Sequence, residues 1–515
     1  MRTTNSIKNS ITSTTCYIIS ILIGFLNQSL FIKVLGVKYL GLNGLFSNIL
    51  GMLGIFELGI GSAIIYNLYK PIAENKEAEI KSLMLFYKKA YNIIAILITV
   101  TGLAIMPFLK SIVGEITVDI NIYIIYILFL FQTVSSYIIT YKRSLIYANQ
   151  KNYIINIIHL GYLIIFNISK LVILFITKNY YLYLGVMIIG QFLENIVISV
   201  IANKMYPYLL DKNVEKLSKD TEKNIFKKVK ALIFHKIGTI IVLGTDNIII
   251  SRFFGVITVG LYSSYCMIIS PVSNLFGQMI SSATASVGNL LATEEKEKVY
   301  KTFKKIRFLN FWLSCFSGVC LLVIMQSFIT VWIGEDYLLP MIVLVTIIFN
   351  YYQKMMRNTY MAFKDSAGIW EEDKFIPLIE SVLNIVSSVI CLKIFGLAGV
   401  FMGTIISGLA LWCYSYPKFV YKKLFNRSYI DYAKETIGYM LLFVFTALIT
   451  YGISILVNVS NPILQIIVNC IICIIVPNLI LFIIFRKSEN FQYFIELLSK
   501  MLRKIKLKKE NKVKV

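Results

Sequence analysis

The sequence predicts an all-α protein that crosses a membrane many times. The residues are 57% hydrophobic and the mean hydropathy is +0.73. Apolar stretches of about 20 residues recur along the chain, and a helix of that length spans the hydrocarbon core of a bilayer. The same pattern argues against a soluble fold, which would have to bury every stretch in its own core.

Fourteen apolar stretches follow one another, separated by short polar or basic segments. We predict spans over 12–34, 41–69, 85–109, 118–139, 153–176, 181–203, 232–254, 258–289, 308–333, 337–363, 375–396, 398–420, 435–458 and 462–485. The first is interpreted as a retained span, because the apolar run is long and no small-residue cleavage site follows it.

The basic residues fall almost entirely on one side of these spans. An even number of spans places both termini on the same side, and that side carries the basic loops and the basic tail. The exceptions are Lys33, Lys38, Lys110, Lys178, Arg252 and Lys393 on the other side and Lys170 inside a span. The positive-inside rule therefore predicts that both termini are cytoplasmic. The net charge of +24 arises mainly from these basic loops and the tail, which face the anionic lipids of the inner leaflet. No nucleic-acid partner is therefore expected.

One pattern occurs twice in the chain. "KVLGVKYLGL" (33–42) and "RFFGVITVGL" (252–261) carry a basic residue, two glycines and a leucine at matched positions, 219 residues apart. Both copies connect two predicted spans, where a short turn requires the backbone freedom of glycine. The two copies are six spans apart, so they have the same orientation in the membrane, which indicates a parallel repeat.

This repeat predicts two parallel six-helix lobes followed by two further helices. The predicted limits are 1–210 for the N-lobe, 211–231 for a cytoplasmic amphipathic linker, 232–425 for the C-lobe, 426–486 for spans thirteen and fourteen, and 487–515 for a basic amphipathic cytoplasmic tail. Linker and tail place apolar residues at helical spacing beside lysines, a pattern typical of helices that lie along the membrane interface.

Three segments resemble a known family. "YLGLNGLFSNILGMLGIFELGIGSAIIYNLYKP" (39–71), "RFFGVITVGLYSSY" (252–265) and "KIFGLAGVFMGTIIS" (393–407) look like the corresponding parts of polysaccharide-biosynthesis flippases. These are the Wzx-type members of the multidrug/oligosaccharidyl-lipid/polysaccharide (MOP) exporter superfamily. The resemblance covers essentially the whole chain, including the plan of fourteen helices in two MATE-like lobes plus two C-terminal helices.

The resemblance implies a function. Such a protein moves an undecaprenyl-diphosphate-linked oligosaccharide from the inner to the outer leaflet of the bacterial cell membrane by alternating access, for capsule, exopolysaccharide or a related surface polymer. Coupling to protons or sodium and contact with the polysaccharide polymerase machinery are expected on the same basis. No cofactor and no metal site is expected.

A diphosphate and its sugars need a polar cavity, because each buried charge or unpaired polar group costs several kcal/mol in hydrocarbon. Candidates to line it are Lys170, Asn27, Gln28, Asn167, Gln191, Asn247, Lys354 and Arg357. Carboxylates inside spans can load and release a proton or cation. The coupling candidates are Glu57, Asp246, Glu194 and Glu380.

Several of these residues have a second interpretation. Lys170 is the first candidate for the diphosphate, but an ion pair with Glu57 or Glu194 would give it a purely structural role. Lys354 and Arg357, one helical turn apart, also fit ordinary cytoplasmic anchoring. For His159 the favoured interpretation is a hydrogen bond between helices.

Other function classes lack their sequence signatures. A membrane polymerase is expected to need a substantial external loop, a glycosyltransferase a soluble nucleotide-sugar domain, and an ATP-driven pump a phosphate-binding loop. None of these is present in the sequence, so an enzyme is not expected. A proton- or cation-coupled drug antiporter of the same superfamily shares the predicted fold and is the alternative. The chemistry of a site that contains both Lys170 and Glu57 does not decide between them.

Overall fold

The computed structural model is helical almost throughout. It describes residues 2–57, 60–114, 120–211, 214, 217–282, 284–369, 372–457, 459–497, 499–500 and 503. No β-strand occurs in these ranges. Most of the predicted basic tail beyond Lys500 lies outside the described residues.

Seventeen α-helices make up the described part of the chain. They are α1 (Arg2–Leu35), α2 (Val37–Met52), α3 (Ile60–Ala73), α4 (Glu77–Ile105), α5 (Leu109–Val113), α6 (Ile122–Ile138), α7 (Tyr141–Ala148), α8 (Asn152–Thr177), α9 (Tyr180–Met205), α10 (Lys219–Ser281), α11 (Thr284–Thr293), α12 (Lys296–Trp332), α13 (Met341–Ser366), α14 (Ile376–Phe395), α15 (Leu397–Ala410), α16 (Tyr429–Leu456) and α17 (Pro462–Phe485). Short 3-10 segments cover Leu53–Glu57, Met106–Phe108, Pro207–Leu210 and Glu335–Tyr337, and α15 continues as a π-helical segment over Leu411–Leu424.

Eleven helical segments within the described ranges are long and apolar enough to cross a membrane. The count is twelve if the bent pair α6 and α7 forms one span. The predicted number of fourteen is therefore not confirmed. Part of the difference comes from Ile240–Leu291, which is counted once although it contains two predicted spans, and from α13, which is not among the eleven.

Asparagine fixes the start of three membrane helices. Asn121, Asn179 and Asn461 immediately precede α6, α9 and α17, and each Oδ1 accepts backbone N–H groups two and three residues further on. These amides would otherwise be left without partners in the first helical turn. The short polar segments between the predicted spans thus define helix ends chemically.

The repeated glycine pattern forms a turn in both copies. Gly36 lies between α1 and α2 with φ 87°, and Gly255 breaks the helical backbone inside α10 with φ 81°. A side chain is strained in this left-handed region, whereas glycine adopts it freely. The prediction that these glycines supply backbone freedom is confirmed.

The second glycine of each copy packs against the other copy. A Cβ atom added at Gly41 would lie 2.7 Å from Cγ1 of Val256, and one added at Gly260 would lie 2.7 Å from Cγ2 of Val37. Val37 and Val256 are themselves 219 positions apart, so the two contacts are equivalents under the repeat. Gly44 extends the contact, with its added Cβ 2.6 Å from Oγ of Ser263. The two copies therefore cross reciprocally and at close range.

Internal contacts divide the chain into two compact units. Unit 1 comprises Met1–Met267 and Lys374–Val400, and unit 2 comprises Ile268–Asp373 and Phe401–Val515. In unit 2, α12 forms the centre, with Phe311, Cys315 and Val319 fully buried. The lobe, linker and tail limits derived from the repeat stay a prediction.

Candidate functional site

Unit 1 contains a polar cavity of about 560 Å³ lined by α4, α6, α7, α8, α9 and the 3-10 segment that precedes α3. Five of the predicted site residues line it: Glu57, Asn167, Lys170, Gln191 and Glu194. Helices α8 and α9 supply four of these five, because the apolar α8 and α9 carry their polar residues on the sides that face each other.

A bend brings a cation into this cavity. Helix α6 ends at Ile138, and α7 continues at an angle of 44°, which places Arg143 in the cavity wall. The sequence analysis assigned Arg143 to a basic cytoplasmic loop. A signal was available, because the apolar pattern resumes after "YKR" in "YKRSLIYA" (141–148), as it does when a helix continues.

Glu194 is the centre of a charged cluster. Its Oε1 accepts a hydrogen bond from Arg143 Nη2 at 2.8 Å and lies 3.2 Å from His159 Nδ1. Arg143 also donates to Oδ1 of Asn195 at 2.8 Å. The interpretation of His159 as a contact between helices is confirmed, since it joins α8 to α9. Glu194 already has a cationic partner, which makes it less suited to binding a transported cation.

Lys170 has no carboxylate partner among the described residues. Its Nζ lies 5.6 Å from the centre of the Tyr183 ring, a weak cation–π contact. The ion pair with Glu57 or Glu194 that was the alternative role of Lys170 does not form. A lysine in a span without a counter-ion is electrostatically costly, so a bound anion would stabilise it.

Glu57 is held by tyrosines. It ends the 3-10 segment Leu53–Glu57, and its Oε1 accepts a hydrogen bond from Tyr91 Oη at 2.7 Å. Tyr87 donates in turn to Tyr91 at 3.2 Å. A Cβ at Gly61 would lie 3.0 Å from Glu57 Oε1 and from both hydroxyls, so glycine leaves room for this cluster. The carboxylate is hydrogen-bonded but forms no ion pair with any described residue.

Amide side chains complete the polar wall. Gln132 Nε2 donates to Oε1 of Gln191 at 2.9 Å, linking α6 to α9. Asn27 on α1 donates to Oδ1 of Asn167 on α8 at 2.5 Å, so Asn27 supports the cavity through its neighbour. Gln28 is turned to another partner and donates to Oγ of Ser264 at 3.1 Å. The predicted substrate residues Asn27 and Gln28 therefore join helices in this structure and are not among the described residues that line the cavity.

The remaining predicted residues of unit 1 are not among the described residues that line this cavity. Asp246 and Asn247 lie on α10, and Glu380 lies on α14. These helices are joined next to them by Thr245 Oγ1, which donates to Oδ1 of Asn384 at 2.8 Å. Asn247 and Glu380 are both buried, so this is a second polar region inside unit 1.

Lys354 and Arg357 belong to α13 in unit 2. Lys354 is exposed. The guanidinium of Arg357 packs closely against Gly408, in the space that a side chain at this position would occupy. Their assignment to the substrate cavity stays a prediction.

No family model and no curated protein matches this chain. Solved structures do. The lipid II flippase MurJ in an inward closed conformation matches with a TM-score of 0.65 and 16% identity, covering 93% of this chain and 99% of MurJ. An inward-facing multidrug resistance MATE family transporter of the MOP superfamily matches with a TM-score of 0.56 and 14% identity, covering 78% of this chain and 95% of that one. A point mutant of the Vibrio cholerae MATE transporter VcmN gives a TM-score of 0.52 at 14% identity, covering 83% of this chain and 99% of VcmN.

The chain has the fold of MurJ and of these MATE transporters. This fold is what the likenesses establish, because identities of 14–16% carry no information on substrate. The resemblance found in the sequence agrees with these likenesses at the level of the fold. The Wzx-type assignment and the choice between flippase and antiporter are not confirmed.

Proposed function

We propose that this chain is a Wzx-type flippase that moves an undecaprenyl-diphosphate-linked oligosaccharide from the inner to the outer leaflet of the bacterial cell membrane by alternating access. The product would supply capsule, exopolysaccharide or a related surface polymer, with the polymerase machinery as the next partner. The finer topology belongs to this proposal: fourteen spans, two parallel lobes and both termini in the cytoplasm.

The observation that carries the proposal is the position of Lys170 in the cavity, where no carboxylate of the described residues pairs with it. A diphosphate brings negative charge and several acceptor oxygens, and an ammonium with three donors matches both. The cavity adds the amides of Asn167 and Gln191, which can hydrogen-bond phosphate or sugar. Arg143 adds a second cation, whose Nη2 is shared with Glu194 and Asn195 in this structure. In hydrocarbon these groups would replace the water that the head group loses.

The extent of the match to MurJ also supports a flippase. The MurJ structure covers 93% of this chain, against 78% and 83% for the two MATE transporters. More of this chain is therefore matched by the structure of a lipid II flippase than by the structures of the MATE transporters. A lipid II-type substrate is included in the experiment below for this reason.

Glu57 is proposed as a coupling residue. Its carboxylate faces the same cavity as Lys170 and is held by Tyr91 without a cationic partner among the described residues. It can therefore gain or lose a proton or bind a cation without first breaking an ion pair. Asp246 and Glu380 are proposed coupling residues in the second polar region of unit 1, whereas the pairing of Glu194 with Arg143 gives it a weaker case.

The drug antiporter remains the second candidate because of the aromatic wall. Tyr91, Tyr137, Tyr162 and Phe166 line the cavity together with Glu57. Rings next to a carboxylate suit an organic cation, which is attracted by the faces of aromatic rings.

The deciding experiment measures the leaflet distribution of lipid-linked oligosaccharide and of lipid II in cells that lack this protein and have no redundant flippase. The cells are complemented with the native chain, Lys170→Gln, Lys170→Arg or the control Lys178→Gln, with expression checked. Lys178 follows α8 directly and is exposed.

We expect accumulation on the cytoplasmic leaflet, rescued by the native chain and by Lys178→Gln. Lys170→Gln should lower the transport rate about tenfold or more, since it removes a charge-assisted contact, and Lys170→Arg should retain part of it. Normal export in the absence of the protein would overturn the flippase proposal and favour the antiporter. Full transport activity of Lys170→Gln would refute the proposed role of Lys170 in binding the diphosphate.

A further inference from the structure

A second charged cleft lies in unit 2, where the N-terminal halves of α12 and α16 meet the end of α17. It is a cavity of about 300 Å³. The basic residues in its wall are Lys304, Arg307 and Lys434, and Glu435 is the one acidic residue among the described residues that line it. The proposed transport function makes no use of this cleft.

The charges in the cleft do not cancel. Arg307 is 1% exposed, and its Nη1 donates to Oε2 of Glu435 at 2.5 Å. Oε1 of Glu435 accepts a further hydrogen bond from Tyr300 at 2.9 Å. Glu435 is thus fully used by buried partners. Lys304 lies 5.2 Å from the Tyr300 ring, and neither Lys304 nor Lys434 forms an ion pair with a described residue. The cleft therefore presents two lysines whose charge nothing in the described chain neutralises.

The wall beside these lysines is apolar. Leu442 and Phe485 line the same cleft, and Phe485 is fixed against Phe308 of α12, with ring centres 5.0 Å apart. Gly438 also lines the cleft, and a Cβ added there would meet nothing within 4 Å. A cationic rim is therefore joined to an apolar surface with open space above it.

The open space continues along α16. One face of this helix presents Ile430, Ala433, Ile437 and Leu441 as a shallow, open apolar surface, which shares Lys434 and Gly438 with the cleft. Helix α16 is long and apolar enough to span a membrane, and we expect this face to meet hydrocarbon. An acyl chain can lie along such a surface, and the two lysines lie where its head group would be.

We propose that this cleft binds one anionic phospholipid, with the phosphate held by Lys304 and Lys434 and an acyl chain lying over Gly438. Charge complementarity selects an anionic over a zwitterionic lipid, because basic pockets between membrane helices bind anionic head groups on the cytoplasmic side. The positive-inside pattern predicts that side for these helix ends. The bound lipid would tie α12 to α16, since each helix contributes one lysine.

The test uses the purified full-length protein in neutral detergent and native mass spectrometry to count bound lipid. Phosphatidylglycerol is titrated in parallel with phosphatidylcholine, inorganic phosphate and a polyprenyl diphosphate. The variants are Lys304→Gln, Lys434→Gln and Gly438→Leu. The control is Lys301→Gln, an exposed lysine of α12 outside the cleft.

We expect phosphatidylglycerol to bind more tightly than phosphatidylcholine, and each lysine variant to weaken it about fivefold. Gly438→Leu should weaken it as well by filling the space above the glycine, and Lys301→Gln should have no effect. Equal binding to native protein and to the lysine variants would overturn the proposal. So would displacement of the lipid by inorganic phosphate at equal concentration, or binding of the polyprenyl diphosphate alone, which would assign the cleft to the transported lipid.

Discussion

The reciprocal contact between the two repeat copies makes a quantitative prediction. Gly41→Ala would place a methyl group 2.7 Å from Cγ1 of Val256, and Gly260→Ala would place one 2.7 Å from Cγ2 of Val37. Ordinary contact between such atoms begins at 3.4 Å. The nearest atoms are backbone oxygens, that of Val256 at 1.9 Å from the first methyl group and that of Val37 at 2.4 Å from the second. Because packed interiors have no slack, the two helices must separate by roughly 1.0–1.5 Å or distort. Because these closest atoms belong to the backbone, a change of side-chain rotamer cannot relieve the clash.

The expected cost of either substitution is about 1–3 kcal/mol, the usual range for overpacking a well-packed site. Gly51→Ala is the matched control, since it lies in α2 as well and an added Cβ there meets nothing within 4 Å. That control should be neutral or stabilise the helix by up to about 1 kcal/mol, because alanine loses less backbone entropy than glycine. The assay is unfolding of the purified protein in detergent, followed by fluorescence, with denaturant or heat.

The symmetry of the contact sharpens the test. Gly41→Ala and Gly260→Ala should both destabilise the protein, Gly41→Ala somewhat more because its closest contact is shorter. The double variant should cost less than the sum, since the first substitution already separates the helices. If both single variants unfolded like Gly51→Ala, the close reciprocal crossing would be refuted. A large effect of only one of them would refute its symmetry.

Two further predictions concern buried charges. Asp373→Asn should destabilise the protein by about 3–5 kcal/mol, because it removes the carboxylate charge that is paired with the buried ammonium of Lys364, and both side chains of this pair are less than one-tenth exposed. Glu294→Gln, which breaks an exposed pair with Lys298 of α12, should cost at most about 1 kcal/mol in the same unfolding assay; equal effects would contradict the argument. Replacing Glu57 by Gln and Asp246 by Asn together should abolish coupled transport in the leaflet assay, and unchanged transport would end the coupling hypothesis for both.

Composition and spacing determined the class of the protein. Apolar stretches of membrane length can only be stable as helices in a bilayer, because every backbone polar group needs a partner within its own segment. The helix boundaries follow from local chemistry for the same reason, as at Asn121, Asn179 and Asn461. The repeated pattern also indicated the turns at Gly36 and Gly255, since a positive φ is a local property that glycine alone adopts without strain.

Tertiary structure decided which polar residues meet. The sequence placed Lys170, Glu57 and Glu194 inside spans, but it left open whether they pair. Because α7 packs against α9, Glu194 forms its ion pair with Arg143, a residue that the sequence predicted to lie in a loop. Lys170 therefore has no carboxylate partner among the described residues.

The glycine repeat has the same limit. Its spacing determines that Gly41 and Gly260 are equivalent, whereas only the crossing of the two helices makes each the close neighbour of the other copy. The physical reason is that helix formation depends on residues within one or two turns. Charge pairing and close approach depend instead on rotation and crossing of whole helices, to which many distant side chains contribute.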